Sequence, residues 1–263
     1  MPSKPLTYSS YLRLDELLAL QSPRSDGPEH DELLFIIVHQ VYELWFRQIL
    51  HETDALTRAL HDAHTDAVLA TLKRILTILK TLVAQVDILE TMTPLSFNAF
   101  RTRLEAASGF QSAQFRALEL RLGYKRPQVV DAHPEGSPGR ALVEAAWRAP
   151  SLYDHFLRYL AAQGQPVPQT LLARDPTQPY PGSEAVQQLL VGIYRGGGFV
   201  AQVCERLVDL DEGLQEWRYR HVKMVERTIG FKPGTGGSSG AEYLRATLFK
   251  PLFPDLWAIR SQL

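Results

Sequence analysis

Two long stretches with a helical repeat, and no stretch that alternates, decide most of what this chain can become. In DELLFIIVHQVYELWFRQILHETDALTRAL, residues 31–60, Phe35, His39, Tyr42 and Phe46 recur at steps of four, three and four. That spacing follows the helical turn and puts the four side chains on one face. In DAVLATLKRILTILKTLVAQVDILETM, Val68, Leu72, Ile75, Leu79, Leu82 and Val86 do the same. A helix this long with an apolar stripe needs long partners, which is the requirement of a bundle. No segment alternates apolar and polar residues over a useful length, and no internal repeat is present. The expected fold is all-α, a helical bundle forming a single domain over residues 1–263.

The punctuation between helices is as readable as the helices. Thr93-Pro94 reads as a cap followed by proline at the first helical position, opening a helix with Phe97, Phe100, Arg101 and Leu104. Gly123 is a helix stop, and YKRPQVVDAHPEGSPG after it reads as a loop. Helices are expected around residues 141–163, and the proline-rich stretch 165–183 is a connection. Helix then resumes to Tyr194, halts at Gly196-Gly197-Gly198, and returns from Phe199 to Ile229. Gly213 is a candidate interruption there, while Trp217, His221, Met224, Val225 and Thr228 share one face.

Composition excludes several classes of function. The net charge of -1 gives no electrostatic footprint for a nucleic acid and no cluster to hold an anionic membrane surface. The N-terminus lacks the apolar core of a secretion signal, and no apolar run reaches membrane-spanning length. The lone cysteine, Cys204, forms no intrachain disulfide, and a reducing cytoplasm is the expected address.

Among the eight histidines, most read as surface residues. HETD at His51 lacks the second histidine of a zincin helix, and HDAH at 61–64 lies in a polar connection. His39 and His221 differ, because each sits in an apolar helical stripe where a neutral imidazole must find a partner or ligate something. Spacing alone favours a satisfied core histidine for each. Two such residues in an all-helical chain, one of them beside aromatics, are also the parts of a haem pocket. The loop GTGGSSG, 234–240, follows a helix and lacks the lysine triplet of a phosphate loop.

Several stretches, in order along almost the whole chain, resemble the tryptophan 2,3-dioxygenase family. They are LTYSSYLRLDELL, HDELLFIIVHQVYELWFRQILHE, LETMTPLSFNAFR, SGFQSAQFR, HVKMVERTIGFKPGTGGSSGAEYL and the terminal FPDLW. The glycine-rich loop alone is a weak signal, but with a histidine fourteen residues before Thr235 and the other stretches in register it is specific. The resemblance implies haem b as cofactor, L-tryptophan and O2 as substrates, N-formylkynurenine as product and a homotetramer. It implies that His221 is the axial iron ligand and that His39 accepts a hydrogen bond from the substrate indole N–H. Phe35 would pack on the indole, Phe97 would occupy a position taken by tyrosine or phenylalanine, and Arg101 would bind the carboxylate. Thr235 would contact the ammonium and carboxylate end under a closing loop, and Ser108 and Gly109 would border the haem. Tyr8, Tyr11 and Leu12, in a segment of about residues 1–25, would reach into a neighbouring subunit's pocket.

This chain departs from the family at Val41 and Tyr42, where small hydroxyl residues are common, and at Val86, where some members carry tryptophan. Tyr42 shares the His39 face and is expected to narrow the pocket. A dioxygenase for a substituted tryptophan or indole, and a haem-based sensor, are the alternative readings. A sensor needs no carboxylate clamp, so Arg101 and Thr235 favour catalysis.

Overall fold

The computed structural model describes residues 5–27, 29–235 and 241–263. Two short helices, α1 (Tyr8–Leu12) and α2 (Leu14–Leu17), lead to the long α3 (His30–His61) and α4 (Thr65–Leu89). Tyr42 bonds to Leu82, Val38 to Gln85 and Glu52 to Arg74, so the second long helix runs antiparallel to the first. The next is α5 (Pro94–Arg101), where Thr93 Oγ1 accepts the backbone N–H of Ser96 at 3.1 Å as its sequence implies. Ser112 caps α6 (Ala113–Leu122) in the same way, and Gly123 ends it in a left-handed conformation with φ 126°.

The chain continues through α7 (Gln128–Asp131), α8 (Pro138–Arg148), α9 (Leu152–Ala162) and α10 (Gln169–Leu172). It then forms α11 (Glu184–Gly196), α12 (Gly198–Ile229), α13 (Ala241–Arg245) and α14 (Pro254–Ala258). No strand occurs among the described residues, as the missing alternation requires. The main core lies where α3, α4 and α12 meet, with α6 and α9 packed on α3. The FPDLW segment is tied down by two buried carboxylates. Asp211 accepts from the backbone of Leu252 and Phe253 and from the Trp257 indole, and Asp255 accepts from Tyr153, Tyr180, Ser183 and Gln187.

Four readings change. The stretch after Gly123 is not all loop: it contains α7, and Lys125 and His133 within it are buried. The Lys125 ammonium donates to the carbonyls of Ala146, Trp147 and Ala149 at 2.9, 3.0 and 2.6 Å, satisfying the C-terminal end of α8. Its partners lie more than twenty residues away, so local composition does not reveal them. The connection 165–183 likewise contains the one-turn α10. Among the described residues, α3 is also long and apolar enough to cross a membrane by length and composition, with a mean hydropathy of 1.2 over an 18-residue window. It packs on α4, α6 and α9 through one face, and that face buries Glu32 and Glu52.

Gly213 does not interrupt α12. A Cβ at this position would lie 2.8 Å from Cδ2 of the buried Leu79, so the glycine lets α4 and α12 approach. Gly213→Ala gains ~1 kcal/mol in helix propensity. It loses about 1–3 kcal/mol to overpacking against the buried Leu79. The expected net is a loss of about 1 kcal/mol, the middle of a range of about 0–2, and so a melting temperature lower by about 2–4 °C, measurable by thermal unfolding. An unchanged or higher value would mean that Leu79 yields.

Candidate functional site

Helices α3, α5, α6 and α12 enclose a cavity of about 260 Å³. Phe35 and His39 reach it from α3, Phe97 and Arg101 from α5, and His221 from α12. Ser108 and Gly109 border it from the turn before α6, and Thr235 from the segment after α12. Residues 31–60 and 198–229 thus deliver their two apolar-face histidines to one space. Tyr8, Tyr11 and Leu12 do not line it: they lie on α1, 77%, 73% and 42% exposed. Gly236 to Gly240 of the glycine-rich loop lie outside the described residues.

The geometry fixes the tautomer of His39, which its place in the sequence does not. Its Nδ1 lies 2.7 Å from the carbonyl oxygen of Phe35, one turn earlier. A carbonyl only accepts, so Nδ1 carries the proton and Nε2 is left with a lone pair. Burial pushes the imidazole below its ordinary pKa, against opposing effects of the Phe35 carbonyl and Glu43. The ring is therefore neutral at pH 7 and able to accept. Phe35 packs on it with centroids 4.1 Å apart, and Phe97 and Phe100 pack on Phe35 at 5.7 and 5.5 Å. Tyr42 does line the cavity, as expected, with its hydroxyl donating to the Leu82 carbonyl at 2.9 Å.

His221 is driven further toward the neutral form. Burial first, then the charges of His39 and Arg116, push it down to about 4. As pH falls through that value, the ring takes a proton and loses its lone pair; above it, the lone pair is available to a metal. Trp217, one turn earlier on α12, stacks on the ring at 5.2 Å with the planes 13° apart.

Arg101 and Thr235 are bonded to each other's loops. The Arg101 guanidinium donates to the carbonyl of Pro233, and the Thr235 hydroxyl donates to the carbonyl of Ala107 at 2.5 Å. The segment leading into the glycine-rich loop is thus held against the turn after α5. Gly109 leaves the neighbouring backbone open, since a Cβ there would meet nothing within 4 Å.

A charged wall completes the cavity. Glu119 on α6 accepts from Arg116 and Arg126 at 2.6 and 2.7 Å through one oxygen, and from Arg218 on α12 at 2.8 Å through the other. Arg116, Glu119 and Arg218 are all buried and line the space. The sequence profile of the tryptophan 2,3-dioxygenase family matches residues 2–135 and 187–263. The chain is 63% identical to a tryptophan 2,3-dioxygenase of Anaeromyxobacter sp. (strain K), over 99% of this chain and 97% of that one. It is 60% identical to one of Herpetosiphon aurantiacus, over 99% and 100% of the two chains, and 44% identical to one of Kineococcus radiotolerans, over 99% and 92%.

The chain belongs to the tryptophan 2,3-dioxygenase family. In this member the donor set fits a haem. A neutral imidazole faces an apolar space, and beside it the buried guanidiniums suit the acidic edge of a porphyrin. The Nε of Arg218 has no hydrogen-bond partner among the described residues, which leaves one buried donor on that wall for an acceptor from a ligand. Reading the sequence by helical stripes passed over Arg116, Glu119, Arg218 and Trp217 as site residues. Two signals pointed to three of them, opposite charges three residues apart in α6 and a tryptophan one turn before His221, while nothing local pointed to Arg218.

Proposed function

We propose that this chain is a haem-dependent dioxygenase. It inserts both atoms of O2 across the indole 2,3 bond of L-tryptophan to give N-formylkynurenine, the first step of tryptophan degradation by the kynurenine pathway. One observation carries the reading: two neutral imidazoles share a single apolar cavity, one with a free acceptor nitrogen and the other stacked on Trp217. When bound, haem b supplies the oxygen chemistry that no side chain carries. His221 would hold its iron, with Ser108, Gly109, Arg116 and Arg218 around its edge.

The residues of the chain bind and orient. His39 Nε2 accepts the indole N–H, because Nδ1–H is committed to Phe35. Phe35, backed by Phe97 and Phe100, packs on the indole plane. Arg101 exchanges the Pro233 carbonyl for the substrate carboxylate, a stronger acceptor that takes two parallel bonds. Thr235 keeps its proton on Ala107 and accepts from the substrate ammonium through its oxygen. Fixing the indole in this way turns a bimolecular encounter into an intramolecular one, an effect of up to ~7–11 kcal/mol in favourable cases.

The enzyme acts as a homotetramer in the cytoplasm, and residues 1–263 form a single catalytic domain. Support for the assembly comes from α1, whose Tyr8 and Tyr11 are exposed together with Leu6, Leu18 and Leu20 nearby. Such a surface suits a neighbouring subunit's pocket.

Haem-loaded, reduced protein given L-tryptophan in air should form N-formylkynurenine, followed by its ultraviolet absorbance. The rate should hold from neutral pH down to about 6.5, the ordinary histidine value. It should fall only below that, where His39 takes a proton and stops accepting. Haem-loaded protein that converts neither tryptophan nor any ring-substituted analogue would instead favour the sensor reading.

A further inference from the structure

Axial histidines in haem proteins need something to hold the plane of the ring, and a hydrogen bond from the nitrogen not on the metal is the usual device. Among the described residues His221 has no such partner: the influences on its ring are burial and the charges of His39 and Arg116, with no hydrogen bond. What it has is Trp217, with centroids 5.2 Å apart and the planes within 13°. The stack is built to be stiff. Trp217 is itself caged by Tyr42, Phe46 and Phe115 at 6.2, 6.1 and 4.8 Å, at steep interplanar angles of 68°, 88° and 48°. Tyr42 is pinned in turn by its bond to the Leu82 carbonyl. A line of rigid contacts therefore runs from the backbone of α4 through Tyr42 and Trp217 to the face of His221.

We infer that Trp217 is a positioning residue for the axial imidazole: its stacked indole, locked by the aromatic cage, sets the plane of His221 where other haem proteins use a hydrogen bond. Aromatic faces that overlap in parallel resist rotation of either ring, so the angle of the imidazole about its bond to iron is set by α12 and the cage. The inference rests on His221 as the iron ligand, and it goes beyond that reading by naming what orients the ring.

Two variants and two measurements separate the ideas. Trp217→Phe keeps a ring that can stack; Trp217→Leu keeps apolar bulk without one. In the ferrous holoenzyme, the iron–histidine stretching band by resonance Raman should stay near its wild-type position in W217F. In W217L it should shift and broaden by about twofold or more, at equal haem content. In the haem-free chain, the His221 ring protons should show an upfield ring-current shift by NMR that W217L abolishes and W217F partly keeps. An unchanged band in W217L, equal changes in both variants, or no upfield shift in the wild-type chain would each overturn the inference. If W217L fails to take up haem, the W217F band and the haem-free NMR shift still decide it. His221→Gly tests the underlying reading separately: the band must vanish there, and if it persists His221 is not the ligand.

Discussion

Replacing Glu119 with glutamine should lower the melting temperature by about 6–20 °C while leaving the helical signature of the folded state in place. The carboxylate is the meeting point of Arg116, Arg126 and Arg218, at 2.6, 2.7 and 2.8 Å. Arg218 also donates to the Thr247 carbonyl at 3.3 Å, so one carboxylate joins α6, α12 and the segment before α14. Removing one partner of a buried ion pair costs about 3–5 kcal/mol, because the charges left behind were desolvated on the assumption of a counter-charge. At about 2–4 °C per kcal/mol for a chain of this size, that gives the stated range. It is also a large share of a typical stability of about 5–15 kcal/mol. Guanidiniums stacked on aromatic rings, Arg116 over Phe115 at 4.7 Å and Arg126 over Tyr124 at 4.2 Å, hold part of the geometry in the variant. A melting temperature within a degree or two of wild type would mean that water screens the site and that the wall contributes little.

The second large effect concerns catalysis alone. Arg101→Leu should reduce kcat/KM for L-tryptophan by ~10²–10³, since losing a bidentate charge-assisted pair removes about 3–4 kcal/mol from substrate and transition state together. Haem content should be unaffected. The same substitution should leave the weak spectral binding of tryptamine, which has no carboxylate, almost unchanged. Equal losses for both ligands would assign Arg101 to holding the Pro233 segment and not the carboxylate.

The sequence carried the fold further than it carried the site. Stripes such as Val68, Leu72, Ile75 and Leu79 are legible because burial on a helix repeats every three or four residues, and Thr93-Pro94 because cap chemistry is local. His39 and His221 were legible as histidines on apolar faces, but their assignment came from resemblance. Three things were not legible. The direction of the His39 proton depends on one 2.7 Å contact with a backbone oxygen, which no residue type specifies. Gly213 reads as a helix breaker until Leu79 is seen opposite it, 134 positions earlier in the chain. The Glu119 wall depends on a partner, Arg218, separated from it by 99 residues, and spacing arguments reach only a few turns.

The central claim is that the imidazole of His221 holds a haem iron inside this cavity, and haem titration of the His221→Ala variant tests it most directly. Wild-type chain should take up one haem per chain with a sharp Soret band and an axial-histidine spectrum at neutral pH, where burial keeps the ring neutral and its lone pair available. His221→Ala, folded to the same helical content, should bind haem only weakly and without that spectrum, and free imidazole should restore it. A variant that keeps stoichiometric haem with the wild-type ligand spectrum would contradict the account.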